Sequence, residues 1–208
     1  MTGTGFIQRA QRWLLVPAGT AVWVALGVVL LAAAVRAHPA ERTRPDAARP
    51  AAETAVRTYV PDFEFRKGRE IVLVLVGAAF CGAQREPGFP QALGDAKLRV
   101  RDQAAARGAQ FRAVAVSLDW KTDEALAFLE GFGAFDELTV GSNWLNDGAR
   151  RYIWRDLPGP AAVPQLLVVE RDVETEPQVQ VQVRNERVIK RISGALPVIA
   201  WVKDGARI

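Results

Sequence analysis

The thiol of Cys81 is the side chain with the clearest capacity for covalent chemistry, and it is the only cysteine among the 208 residues. It follows an unbroken apolar run at residues 71–76, which predicts a strand buried on both faces. Residues 82–86 can start a helix, which Pro87 and Pro90 kink or delay. Helix amides next to a thiol favour a thiolate, so Cys81 has the position of a redox thiol.

The groups that usually support such a thiol are missing. A partner thiol normally lies three residues further on, where this sequence has Gln84. One cysteine excludes an intrachain disulfide, and the only histidine, His38, precedes the predicted domain, which excludes Cys–His and Ser–His pairs there. Neither a cluster of soft metal ligands nor calcium-loop spacing is present, so the sequence predicts no metal and no cofactor.

Strand and helix patterns alternate along the chain. Strands are predicted at residues 59–65, 71–76, 111–118, 138–140, 165–170, 178–184 and 187–193. Helices are predicted at residues 95–106, 123–131, 143–154 and 197–202. Asn185 and Glu186 are expected to turn the chain between the last two strands. The order predicts an α/β domain over residues 58–208, with a mixed sheet flanked by helices.

An uncharged apolar stretch at residues 14–35 forms a second pattern. As a helix it would be about 33 Å long, enough to cross the bilayer core. We expect a transmembrane helix that includes Trp23, with Trp13 at the membrane interface, since a cleaved signal peptide, the alternative, normally has a shorter apolar region. Residues 1–13 would be a tail, and residues 36–57, rich in Pro, Ala and Arg, a tether to the domain.

The charge of the sequence is concentrated around this stretch. Residues 1–57 hold seven arginines and three acidic residues, a balance of +4, and the remaining 20 basic and 20 acidic residues cancel. A neutral domain argues against nucleic acid as a partner, and a basic tether fits anionic lipid headgroups. The arginines after the stretch favour a cytoplasmic domain. A short tail before a long domain is nevertheless the common signal-anchor arrangement, so we expect one pass through a bacterial inner membrane and a periplasmic domain.

Four segments occur in the order of a known family. They are FCGAQR at residues 80–85, FRAVAVSLD at residues 111–119, AVPQ at residues 162–165 and ISGAL at residues 192–196. They resemble the aromatic-Cys-x-x-Cys turn, the second strand, the cis-proline loop and the last turn of thioredoxin-like domains. The match over residues 59–205 is similar to membrane-anchored periplasmic thioredoxins of cytochrome maturation, with some similarity to peroxiredoxins. It implies a thioredoxin-like mixed sheet flanked by helices.

The resemblance also implies roles for single residues. Cys81 matches the nucleophile, and Pro164 matches the cis-proline beside which an extended peptide docks. The resolving cysteine is absent, as is the peroxiredoxin signature, since Val74 and Ala78 occupy its Pro and Thr positions. Cys81 is therefore either a monothiol nucleophile or the remnant of a dithiol.

Two functions follow from these patterns. The first is a non-catalytic accessory subunit that contacts lipid and the subunits of a membrane protein complex, respiratory or photosynthetic. Its partner contacts would include Trp120 and Trp144, which otherwise belong to the core. The alternative is a monothiol oxidoreductase that acts on periplasmic protein thiols through Cys81.

Overall fold

The computed structural model describes residues 57–176 and 180–208. Three predicted segments lie outside these residues: the tail with Trp13, the apolar stretch with Trp23, and all of the tether before Arg57. Within the described part of the chain, no helix combines the length and the apolar character needed to cross a membrane.

A five-stranded mixed sheet forms the centre of the domain. The strands are β1 (Gly68–Gly77), β2 (Gln110–Ser117), β3 (Glu137–Thr139), β4 (Gln165–Glu176) and β5 (Gln180–Ser193). Their order is β3-β2-β1-β4-β5, in which the first three are parallel and β4 runs antiparallel to both of its neighbours. The central β1 is buried from its third residue onward, as its apolar run predicts.

Helical segments cover both faces of this sheet. On one face, α1 (Phe89–Ala106), α2 (Thr122–Glu130) and α3 (Ala195–Lys203) contribute to a core that includes the odd-numbered residues 71, 73 and 75 of β1. On the other face, residues 149–157 pack against the even-numbered residues 72, 74 and 76. The strand order and the two covered faces fit the thioredoxin-like fold, and the predicted mixed α/β sheet is confirmed.

Residues 59–65 were predicted as an edge strand, and this is wrong. Residues 57–66 contain no strand in the structure. Side chains of the domain bind this segment instead, since Asp136 accepts hydrogen bonds from the Tyr59 hydroxyl and the Asp62 amide, and Arg112 donates to the Asp62 and Glu64 carbonyls. These bonds satisfy backbone groups that a sheet ladder would otherwise pair.

The segment after Cys81 also differs from the prediction. A 3₁₀ turn covers Gly82–Arg85, and the unbroken helix α1 starts only at Phe89. Gly88 precedes it with a φ of 86°, and Pro90 lies in the first turn, where a missing amide proton costs nothing. The helix predicted to begin at residue 95 is therefore longer, and its N-terminal amides are not next to the thiol.

Two further predictions, at residues 143–154 and 185–186, need correction. Residues 143–154 form short 3₁₀, α and π pieces, Asn143–Leu145, Asp147–Ala149 and Arg150–Trp154, and not one helix. The strand β5 continues through Asn185, which has a φ of 52°, and its pairing with β4 shifts register nearby. The predicted turn is therefore a bulge, which bends the strand without ending it.

Candidate functional site

Four loops meet at the edge of the sheet where β1 and β2 end, here named the Cys81 edge. In the strand pairing, Gly77 lies beside Ser117, Val76 lies beside Gln165, and Gln165 lies beside Ser193. The loop carrying Cys81 therefore shares this edge with the loops at residues 118–121, 157–164 and 194. The topology thus brings together the Cys81 and Pro164 segments that the sequence singled out.

The Cys81 thiol is half-buried and points to the loop before β4. Its S–H donates a hydrogen bond to the Val163 carbonyl at 3.2 Å. The Val163–Pro164 peptide bond is cis. The backbone amide of Cys81 donates to the Ala78 carbonyl at 3.0 Å, which fixes the tight turn after β1. The thiol is accessible to a second sulfur and is held next to a backbone acceptor.

Gln84, three residues after Cys81, is buried with 3 % of its surface exposed. Its Nε2 donates to the Ala78 carbonyl at 3.4 Å, and its Oε1 has no hydrogen-bond partner. A Cβ on Gly77 would lie 2.6 Å from this Oε1, so the amide needs glycine at the end of β1. Gln84 is thus packed into the domain behind the thiol and is not a surface residue.

Asp119 supports the turn from the neighbouring strand. Its carboxylate oxygens accept hydrogen bonds from the Ala79 amide at 3.1 and 3.0 Å and from the Ser117 hydroxyl at 2.5 Å. The carboxylate therefore joins the end of β2 to the residues just before Cys81. Sequence reasoning missed this role of Asp119. A signal was present, because an acidic residue directly after a buried strand needs partners.

Gln165 and Arg191 shape the loop that carries Val163. The Gln165 amide donates to the Pro160 and Ala162 carbonyls at 2.6 and 2.5 Å, and its oxygen accepts from Arg191 at 2.9 Å. Arg191 also donates to the Leu157 carbonyl at 2.8 Å, and burial lowers its pKa. A Cβ on Gly159 would lie 2.4 Å from the guanidinium carbon, so glycine permits this approach. Sequence reasoning missed these contacts, which join residues up to 34 positions apart.

A groove and exposed aromatic rings surround the thiol. The groove has a volume of about 520 Å³, and its lining includes Cys81, Gln84, Arg85, Glu124 and Phe128. Phe80 and Trp120 are 58 % and 68 % exposed. Trp120 is therefore not a core residue and is free to contact a partner.

Trp144 lies differently from Trp120. Its ring is half-buried against the core under residues 149–157, and its centroid is 5.9 Å from that of Trp154. Trp144 therefore packs within the domain and leaves less surface for a partner than Trp120 does.

Among the described residues, no three His, Cys, Asp or Glu side chains are grouped to hold a metal ion.

Comparison with known proteins gives two similar solved structures. No family model and no curated protein sequence matches the chain. A structure described as a putative thiol:disulfide interchange protein DsbE from Chlorobium tepidum is 23% identical, with a TM-score of 0.38, over 66% of this chain and 77% of that one. A thiol:disulfide interchange protein of the thioredoxin family from Chlorobium tepidum TLS is 17% identical, with a TM-score of 0.31, over 66% and 81%.

Proposed function

We propose that this chain is a thioredoxin-like protein that performs monothiol exchange with disulfides of other proteins through Cys81. The observation that carries the proposal is the half-buried thiol 3.2 Å from the Val163 carbonyl, at the edge of a groove. Asp119 and Arg191 position the two loops that form this contact. A thiol that only fills the core would need neither an accessible sulfur nor two braced loops.

The reaction needs a second thiol from outside the described domain. The Cys81 thiolate attacks one sulfur of a partner disulfide, a mixed disulfide forms, and the other sulfur leaves as a thiolate that takes a proton from water. A low-molecular-weight thiol or a cysteine of the partner then attacks the mixed disulfide and releases Cys81. Gln84 cannot perform this second step, so the covalent intermediate should persist longer than in a dithiol enzyme.

Reactivity of the folded thiol tests this proposal. The full chain in detergent is mixed with glutathione disulfide, and intact mass spectrometry follows the adduct with time, in buffer and in urea. We expect the folded thiol to react at least roughly tenfold faster than the unfolded one, because the fold holds the sulfur at a groove that can orient the disulfide. Cys81→Ser gives the blank.

Equal rates for folded and unfolded chains would reject the exchange function. In cells, an acid quench and a non-reducing gel should show mixed disulfides that disappear with Cys81→Ser. Asp119→Asn keeps the size of the side chain that binds the Ala79 amide but removes its charge, so it should slow adduct formation. The control Asp123→Asn, on the exposed first turn of α2, should not slow it.

A second candidate function, the accessory subunit of a membrane complex, is favoured by Gln84. That residue fills the place of a resolving thiol with a buried amide, and Phe80 and Trp120 leave apolar surface exposed nearby. In this case Cys81→Ser should still migrate with the complex on a native gel of a detergent extract. Trp120→Ala should weaken that association, and Trp154→Ala, also half-exposed but within a tryptophan pair, should weaken it less.

For either function we propose that residues 14–35 anchor the chain in a bacterial inner membrane with the domain in the periplasm. The length of the apolar stretch supports the anchor. Resistance of the membrane-bound chain to alkaline extraction tests it, and a protease added to spheroplasts should cut the domain. Protection from that protease in intact spheroplasts, with cleavage after lysis, would place the domain in the cytoplasm.

A further inference from the structure

A basic groove lies at the C-terminal end of α3, away from the candidate site. It has a volume of about 680 Å³ and is lined by Lys190, Trp201, Lys203, Asp204, Gly205 and Arg207. Three of these side chains are cationic and one is anionic. Among the described residues, neither the lysines nor Arg207 forms an ion pair, although most other arginines of the domain do. The groove therefore carries uncompensated positive charge.

Trp201 gives this groove an amphipathic character. Its ring is half-buried and packs against the core, and its indole N–H donates to the Arg207 carbonyl at 3.1 Å. Lys203 is in the last turn of α3, where the helix dipole favours a cation but does not neutralise it. An indole ring surrounded by lysine and arginine is the composition of a membrane interface.

The turn that forms the groove packs on the second half of α1, which the first described residue also contacts. The Arg57 guanidinium is 3.2 Å from the Asp102 carboxylate. The next residue, Gln103, donates to the Ala206 carbonyl at 2.9 Å and accepts from the Ile208 amide at 3.2 Å. The Arg57 side chain therefore reaches the half of α1 on which the C-terminal turn packs, and the apolar stretch precedes Arg57 by about twenty residues of sequence.

The groove begins about halfway along the sheet, where Lys190 on β5 pairs with Val168, and extends to the C-terminal end of α3. The helix α3 starts after Gly194, at the Cys81 edge, and ends at Lys203. The helix α1 likewise runs away from the Cys81 edge, and at its far end Gln103 and Arg107 bind the C-terminal turn. A surface that contacts the Lys203 end of α3 would therefore meet the domain away from the Cys81 edge.

We propose that this basic groove binds the anionic headgroups of the bilayer, with Lys190, Lys203 and Arg207 on the phosphates and Trp201 at the interface. The unpaired cations together with the half-buried Trp201 indole favour a membrane interface over a soluble anion. Contact with the headgroups would fix the orientation of the domain relative to the membrane surface. The inference is independent of any chemistry at Cys81.

Lysine footprinting on the full chain tests this assignment. The protein is placed in lipid bilayer discs of phosphatidylcholine alone or with roughly one third phosphatidylglycerol. Acetylation rates of single lysines are then read by mass spectrometry. We expect Lys190 and Lys203 to react about tenfold more slowly in the anionic discs and to recover at high salt. Lys121, exposed at the N-cap of α2, should react equally in both.

Charge reversal supplies the matched control. Lys203→Glu with Arg207→Glu should abolish the protection of Lys190, whereas Lys121→Glu with Arg155→Glu makes the same charge change at exposed cations outside the groove and should preserve it. Equal acetylation of Lys190 in neutral and anionic discs would overturn the proposal. Protection by inorganic phosphate in neutral discs, without protection by anionic lipid, would assign the groove to a free anion and would also overturn it.

Discussion

Gln84 occupies the space behind Cys81 at the cost of an unpaired amide oxygen. Burying an oxygen without a hydrogen-bond partner costs about 1–3 kcal/mol. Gln84 therefore contributes to stability through the volume it fills and not through its polar atoms. The Ala78 carbonyl that it contacts also accepts the Cys81 amide, and so stays paired without Gln84. The side chain therefore supports the thiol loop mainly by filling volume.

A volume-filling role for Gln84 predicts the effects of two substitutions at this position. Gln84→Met keeps the volume and removes the unpaired oxygen, so the free energy of unfolding should stay unchanged or rise by up to about 1 kcal/mol. Gln84→Ala leaves a cavity and should lower it by about 1–3 kcal/mol. Urea denaturation of both variants provides the measurement. A larger loss for Met than for Ala would show that the amide makes a polar contact essential to the fold.

The residues of the site differ in how far the sequence reveals them. Cys81 and Pro164 are recognisable because local patterns, a strand end and a Val-Pro step before a strand, mark them. The sequence does not reveal Asp119, Arg191 or the Val163 carbonyl, because only sheet pairing brings their partners near. Ala79 and Asp119 are 40 positions apart in sequence, and Cys81 and Val163 are 82 positions apart. Trp120 and Trp144 have similar sequence surroundings but different exposure.

At the scale of elements, a buried ion cluster joins the three central strands. The Glu70 carboxylate, 1 % exposed, accepts from Arg112 on β2 at 2.9 Å and from Arg171 on β4 at 2.6 Å, and both guanidiniums are 3 % exposed. Glu137 on β3 lies 3.4 Å from Arg112. Each strand thus contributes a charge at the end of the sheet opposite the Cys81 edge.

Removing the charge of Glu70 should be costly. Glu70→Gln leaves two buried guanidiniums with only the more distant Glu137 carboxylate, so the free energy of unfolding should fall by about 3–5 kcal/mol. Glu174→Gln removes an exposed partner of Arg184 and should change it by less than about 1 kcal/mol. Thermal or urea unfolding compares the two. Similar small losses would mean that water reaches the cluster.

The type of most elements was predictable, and their limits were not. Buried apolar runs identified β1, β2 and β4, since burial on both faces leaves a continuous pattern. The segment at residues 57–66 alternates like a strand but binds Asp136 and Arg112 side chains, which local sequence cannot reveal. Proline suggested a broken helix after Cys81, whereas the first turn of α1 accommodates Pro90.

At the scale of the whole domain, Lys97 connects three parts of the chain. From α1 its Nζ donates to the Phe132 and Ala134 carbonyls at 2.9 and 2.6 Å and lies 3.4 Å from the centroid of the Phe135 ring. Tyr59, in the segment before β1, is 5.9 Å away on another side. Burial lowers the pKa of Lys97 to about 7, with the nearby Asp136 opposing the shift.

The stability of the domain should therefore depend on pH above neutrality. Between pH 7 and the ordinary lysine pKa of 10.5, the unfolded chain binds a proton that the folded chain has released. The free energy of unfolding should then rise with pH in this window, by at most about 1.4 kcal/mol per unit, and below pH 7, where both states hold the proton, Lys97 should contribute no slope. Burial also raises the pKa of Tyr59, which keeps its hydroxyl protonated there.

Urea denaturation at several pH values between 7 and 10 measures this slope. Lys97→Met should lower stability at every pH, because two carbonyls lose their donor, and should remove the rise. Lys121→Met, at an exposed lysine paired with Glu124, should retain it. A rise of the same size in Lys97→Met would assign the pH dependence to other groups.

The buried Glu70 also bears on how the strands find their pairing during folding. Residues 71–76 of β1 are apolar on both faces, so a shift of two residues would keep similar side chains in the core and the apolar pattern alone defines the register weakly. Such a shift would move the carboxylate by roughly 7 Å along the strand and separate it from Arg112 and Arg171. A shifted β1 would then hold a buried carboxylate without a partner and would leave Arg112 and Arg171 only the longer contacts to Glu137, so the cluster favours the native alignment.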